Sequence, residues 1–171
     1  MSLELQWPRI RQVFSKAFNS SLHYAIATVA PDGTPHVTPI GSILLLEPGR
    51  AIYFEEFTTR MPAHFRENLR VCVLAVNSGR WFWLGALLRG WFRQPPAIRL
   101  LGSVGVRRAA TAEEVARWRR RVRLLGFTRG YDLLWSRMHM VRELHFTEAV
   151  AVNLGAMTAG LVTGQGISSA D

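Results

Sequence analysis

The run His23-Tyr24-Ala25-Ile26-Ala27-Thr28-Val29-Ala30, followed by Pro31-Asp32-Gly33-Thr34 and then Pro35-His36-Val37-Thr38-Pro39-Ile40-Gly41, decides the fold. Its first part is rich in β-branched and aromatic residues, as a strand requires. The second part is a turn, because Pro and Asp favour its start and Gly permits positive φ. The chain then returns as another strand, read over Pro35–Leu46, which alternates at first and becomes apolar at Ile43-Leu44-Leu45-Leu46. Glu47-Pro48-Gly49 makes the next turn, and Arg50–Glu55 is a third strand. Three strands joined by tight turns make an antiparallel meander.

Upstream, Trp7–Phe18 carries Trp7, Ile10, Val13 or Phe14, and Ala17 at helical spacing, which predicts an amphipathic helix stopped by Asn19-Ser20-Ser21. Downstream, Met61–Asn68 reads as a short helix with Pro62 in its first turn, and Leu69–Val76 as an apolar strand buried on both faces. Ile98–Arg107 is a further strand. Thr111–Leu125 is a helix with a capping box, Thr111 and Glu114, closed by Gly126. Tyr131–Arg137 has the character of a helical turn, and His139–Asn153 of a last strand. The reading is mainly β with flanking helices (α+β): six antiparallel strands closed into a small barrel, since closure removes exposed edges. One domain is expected over 1–154, with a Trp-rich insertion at 78–97, and a flexible tail over 155–171 rich in Gly, Ala, Ser and Thr.

Composition narrows the class. The 171 residues are 49% hydrophobic and 19% charged, which fits a globular chain with a single core. Nine Phe and six Trp supply a core, an interface or a ring-stacking site. The net charge is +9, and Lys16 is the only lysine among the 21 basic residues. Arg presents a planar fork suited to phosphate and carboxylate; the balance fits an anionic partner or an ordinary solvated basic surface. The single cysteine, Cys72, lies in an apolar run and excludes an internal disulfide. The five histidines show no metal spacing, so no metal is expected. Neither a Gly-x-Gly-x-x-Gly after a strand nor a Walker sequence occurs. No stretch reaches the length of a spanning helix, and the polar N-terminus lacks a signal-peptide core, so a cytoplasmic protein is expected.

The stretch His23–Val76 resembles the pyridoxamine 5'-phosphate oxidase-like, FMN-binding split-barrel family. The likeness rests on the strand Ala25–Val29, the turn Asp32-Gly33-Thr34-Pro35, His36-Val37-Thr38-Pro39-Ile40-Gly41 and the strand Ile52-Tyr53-Phe54. It continues through Thr58-Thr59-Arg60-Met61 and Glu67-Asn68-Leu69-Arg70-Val71. The resemblance implies a split barrel and a homodimer with two flavins at the subunit interface. It implies that Thr58, Thr59 and Arg60 hold the cofactor phosphate, and that Thr38, Pro39, Ile40 and Gly41 run beside the isoalloxazine ring. Phe54, Glu55 and Met61 match further contact positions. Met61 stands where the family often has a phosphate-binding Lys, so Arg66, Arg70 or a partner's Arg would have to substitute. Glu55 and Glu56 are awkward beside a phosphate unless they point away.

The resemblance points to an FMN-dependent oxidoreductase acting on a small organic substrate, with FAD, deazaflavin or haem as alternative cofactors. A non-catalytic flavin or haem carrier or sensor on the same barrel is the competing reading. No catalytic residue is identified; Arg137, His139 and Arg142 are the only candidates for a pyridoxal-phosphate substrate, and His64 is a candidate haem ligand. The Trp-rich segment Arg80–Arg93 has three readings: core or dimer interface, a lid over the flavin, and, ranked last, a peripheral membrane contact. The basic helix 111–125 reads as a solvated face, and nucleic acid is not expected, because aromatic residues are not interleaved with its arginines.

Overall fold

A computed structural model describes residues 3–163 and 166–167. Helix α1 (Leu3–Ser21) is followed by strands β1 (Tyr24–Val29), β2 (Pro35–Ile40), β3 (Leu44–Leu45) and β4 (Arg50–Phe54). Next come α2 (Met61–His64), β5 (Arg70–Val76), α3 (Arg80–Arg89) and β6 (Ala97–Ala109). Helices α4 (Ala112–Val122) and α5 (Arg129–Leu134) precede β7 (Met140–Ala151), and a small hairpin, β8 (Val162–Thr163) and β9 (Gly166–Ile167), ends the described chain.

The main sheet has seven strands in the order β2-β1-β5-β6-β7-β4-β3, all the pairings antiparallel. The expected count of six is corrected because the span Pro35–Leu46 is two strands, not one. Gly41, Ser42 and Ile43 separate β2 from β3, and these two strands lie at opposite edges of the sheet. Edges joined by three residues of chain, a reach of about 14 Å at most, must come close together. The sheet therefore curls into a barrel that is split between its edges, β2 and the short β3, beyond which the end of β4 is bare. Two prolines, Pro35 and Pro39, sit on β2, the edge where a missing N–H is tolerated.

The turn chemistry matches the sequence reading. Gly33 and Gly49 have φ of 83° and 77°, and Thr34 N donates to Asp32 Oδ1 at 2.9 Å. Helix α1 runs on past the expected stop, to Ser21. The hydroxyls of Ser20 and Ser21 both donate to Ala17 O at 2.9 Å, so these residues satisfy themselves inside the last turn instead of ending it.

Helix α1 lays Trp7, Ile10, Val13, Phe14, Ala17 and Phe18 onto the barrel, with Trp7 Nε1 donating to Leu46 O at 2.9 Å. Alternation along β1 and β5 sends Tyr24, Ile26, Val71, Val73 and Ala75 inward. The outward residues of β5, such as Cys72, are only half-covered, so this strand is not buried on both faces as expected.

On α4 the capping box is formed: Glu114 N donates to Thr111 Oγ1 at 3.2 Å and Thr111 N to Glu114 Oε2 at 2.8 Å. Trp118 is fully buried from this helix. Its basic face is not wholly solvated. Arg117 donates to Leu45 O, on edge strand β3, at 2.9 Å, and Arg121 to Ile43 O, in the irregular β2–β3 link, at 2.6 Å.

The segment expected as a tail is ordered at its start. Gly155–Thr158 forms a 3-10 turn, and Leu161 is buried against Ala86 and Phe92. Residues 164–165 and 168–171 lie outside the described residues.

Candidate functional site

A cleft of about 270 Å³ opens at the split of the barrel. One wall is the end of β2 and the link after it: His36, Thr38, Pro39, Ile40, Gly41 and Ser42. The opposite wall is Phe54, at the end of β4, with the loop Phe57-Thr58-Thr59-Arg60-Met61. Leu134, Trp135 and Met138, from α5 and the chain after it, close one side.

The cleft exists because the strand ladder stops there. Ser42 replaces the missing ladder with its side chain: it donates to Phe54 O at 3.2 Å and accepts from Phe54 N at 3.1 Å. Beyond this point β2 and β4 diverge, and their ends expose the backbone and side chains that line the cleft.

Nine of the ten expected cofactor residues meet here: Thr38, Pro39, Ile40, Gly41, Phe54, Thr58, Thr59, Arg60 and Met61. Thr58 has a buried Oγ1 with no hydrogen-bond partner among the described residues. A buried hydroxyl costs free energy unless it is bonded, so turning the Thr58 side chain to an acceptor in the cleft that this residue lines would relieve that cost. Arg60 is exposed, and it is the only basic side chain of the described residues on the cleft wall apart from His36. Met61 is buried and contributes apolar wall only. Arg66 and Arg70, expected as substitutes for the missing Lys, do not line the cleft.

Two expectations change in their physical content. The helix after the loop is a single turn, Met61–His64, with Pro at its start, so it offers little dipole and few free N–H groups to an anion. Gly41 is required by the fold itself: a Cβ there would stand 2.8 Å from Leu22 O.

Glu55 is the tenth residue, and it is not at the cleft. Its buried carboxylate accepts from Tyr53 Oη at 2.6 Å and from Arg142 Nε and Nη2 at 2.7 and 3.0 Å, and pairs with Arg107 Nε at 2.9 Å. Burial, followed by the neighbouring carboxylate, pushes the Tyr53 phenol well above its usual range, so it remains a donor. Glu56 likewise turns to β7, accepting from His139 N and Met140 N at 2.8 and 3.0 Å. Both acids are thus held away from the place where an anion would bind, and Arg142 is committed to Glu55. Arg137 and His139 do not line the cleft.

His64 does not line it either. It is buried, with Nδ1 2.9 Å from Thr28 Oγ1, and its ring stacks edge-on to His36 at 5.2 Å between centroids. His36 is the imidazole that reaches the cleft. Among the described residues no group of three or more His, Cys, Asp or Glu could hold a metal ion.

Sequence reasoning missed Ser42, Phe57, Leu134, Trp135 and Met138. Trp135 packs edge-on against Trp118 at 6.0 Å, which anchors this side of the cleft to the core. Nothing local in the sequence marks that contact.

Comparison with known proteins agrees with the fold. The family model described as pyridoxamine 5'-phosphate oxidase matches residues 10–149. No curated protein sequence matches the chain. Among solved structures, HupZ of Group A Streptococcus is 16% identical, with a TM-score of 0.55 over 86% of this chain and 96% of that one. An FMN-binding protein of Syntrophomonas wolfei is 12% identical, with a TM-score of 0.53 over 87% and 93%. The heme storage protein HutZ of Vibrio cholerae is 14% identical, with a TM-score of 0.52 over 88% and 95%. At these identities the likeness is one of fold.

Proposed function

The chain belongs to the pyridoxamine 5'-phosphate oxidase family, and from that premise we propose that it binds FMN in the cleft at the barrel split, as a homodimer, and acts as a flavin-dependent oxidoreductase on a small organic substrate. The observation that carries this reading is the unpartnered, buried Thr58 Oγ1 on a wall shared with Arg60. A phosphate is the acceptor those two side chains fit: a desolvated hydroxyl and a guanidinium fork both donate to its oxygens.

The size of the cleft supports the dimer. About 270 Å³ falls just short of pockets that enclose a small molecule, roughly 300–1,000 Å³. One protomer supplies a single Arg where a dianionic phosphate ester calls for more charge. A second copy would complete both the wall and the charge.

FMN, when bound, supplies the hydride chemistry. The chain's own part is to bind and orient. Thr58 and Arg60 fix the phosphate end. Phe54, Trp135 and Met138 give the cleft an apolar wall that excludes water from its inner part. Thr38 and the backbone of 39–41 offer polar groups along the opposite wall. No side chain is assigned a proton-transfer role.

The test is an absorbance titration of the purified protein with FMN. Saturable flavin bands at one FMN per chain, in a dimer by light scattering, are expected; a colourless protein after FMN addition overturns the proposal. Reduction of bound flavin by NADH or NADPH, with turnover, separates an enzyme from a carrier. Haem is the second reading, favoured by His36 on the cleft wall. A Soret band that His36→Ala removes, with no flavin uptake, would select it.

A further inference from the structure

Helix α3 is apolar on every side yet lies at the surface. Its inner side, Phe82, Trp83 and Ala86, packs with Phe92, Met157 and Leu161 into a small second core. Trp83 Nε1 is tied to Asn77 O at 2.7 Å. The outer side is apolar as well: Trp81 is 84% exposed and Leu88 80%, with Leu84 and Leu87 between them and Trp91 just past the left-handed cap at Gly90. At about 100° per residue, positions 81, 84, 87 and 88 fall within one third of the helix circumference. A contiguous exposed patch of this kind marks a surface that is covered in use.

The charges around it select what covers it. Arg80, Arg89 and Arg93 are exposed at its border and form no ion pair among the described residues. Arg89 sits 5.8 Å over the Trp91 ring. No Asp or Glu occurs between Glu67 and Glu113. Set on a two-fold axis, this patch would meet itself, three arginines against three with no carboxylate between them. The cleft takes none of its lining from 80–93, so α3 is not its lid within the chain.

We propose that α3 with Trp91 is a docking surface for an anionic lipid bilayer, independent of what the cleft binds. Trp81 and Trp91 stand at the two ends of the patch, where an amphipathic ring suits the headgroup level, and leucines lie between them. Arg80, Arg89 and Arg93 reach lipid phosphates while their stems stay apolar. The helix is about 15 Å long and lies in the interface plane. No helix among the described residues is long and apolar enough to cross a membrane, so the contact is peripheral.

Flotation of the full-length protein with vesicles tests this. Phosphatidylcholine vesicles containing phosphatidylglycerol should bind it at least tenfold more strongly than phosphatidylcholine alone, and 0.5 M salt should reverse most of the difference. Brominated lipid chains should quench part of the tryptophan emission. The double change Trp81→Ser, Leu88→Ser should abolish quenching with the melting temperature unchanged. Arg80→Gln, Arg89→Gln and Arg93→Gln together should remove the preference for anionic lipid. No partition, equal partition into both vesicle types, or a Trp81→Ser, Leu88→Ser protein that loses its oligomeric state without any vesicle binding in the parent overturns the proposal; the last outcome assigns the patch to a second copy.

Discussion

Ser42 and Phe54 are joined by two hydrogen bonds through one hydroxyl, which donates to the Phe54 carbonyl and accepts from the Phe54 N–H. These bonds are the seam of the barrel. They hold the β2–β3 link against β4 just where the strand ladder is missing, and the cleft opens beside them. Ser42→Ala leaves both Phe54 groups buried and unpaired. A loss of about 1–3 kcal/mol of stability is expected, measured by urea unfolding, with a weaker FMN affinity as the cleft wall loosens. An unchanged midpoint would show that water or backbone closes the seam instead.

Thr58 and Arg60 separate binding from folding. Because Thr58 Oγ1 has no partner among the described residues, Thr58→Val should leave stability unchanged or improved while weakening FMN by about 1 kcal/mol. Arg60→Ala should weaken FMN by about 1.5–3 kcal/mol, the range for a charge-assisted bond. Fluorescence titration reads both, and an Arg60→Ala protein of unaltered affinity would remove Arg60 from the phosphate.

Glu55 should behave in the opposite way. Its carboxylate is buried against Arg142, Arg107 and Tyr53, so Glu55→Ala strands positive charge inside the protein. About 3–5 kcal/mol of stability should be lost, with FMN affinity of the remaining folded fraction unchanged. Loss of FMN affinity without loss of stability would place this residue at the cofactor after all.

Glu114 gives the chain an acid-sensitive cap. The bond from Arg108, assisted by the Thr111 N–H, holds its carboxyl below the usual value of 4.5. A folded-state value that is depressed contributes stability that is complete above 4.5 and is lost as pH falls below it. Thermal midpoints of the parent should therefore exceed those of Glu114→Gln at pH 6, and the gap should narrow by pH 3. A gap constant across that range would mean that the contact acts only through its neutral hydrogen bonds.

Much of the barrel is written locally. Gly33 and Gly49 at positive φ, the Asp32 turn and the Thr111–Glu114 box each depend on residues within four positions of one another, and such features are readable from spacing. That Thr38–Gly41 and Thr58–Met61 line one cleft was legible only through a family pattern, since nothing in either segment says that the two face each other across 20 residues of chain. Ser42 was not legible, because a serine in an apolar run carries no sign that its hydroxyl will stand in for a strand pair. The side of the cleft made by Leu134, Trp135 and Met138 depends on how α4 buries Trp118, a packing relation between elements. Glu55 was misplaced because its partners, Arg107 and Arg142, lie on strands 50 or more residues away, and register alone brings them over it. Sequence spacing also stopped α1 too early, since Ser20 and Ser21 bond backward to Ala17.

The place of β7 in the sheet has a consequence for synthesis. It is the last strand of the barrel to emerge from a ribosome, and it lies between β6 and β4. Until Met140–Ala151 is made, the inner edge of β4 and the long edge of β6 have no neighbour, and both offer bare backbone to any other nascent chain. A stalled or nicked product ending near residue 139 would thus be sticky, whereas one that ends after Ala151 carries every strand of the seven-stranded sheet.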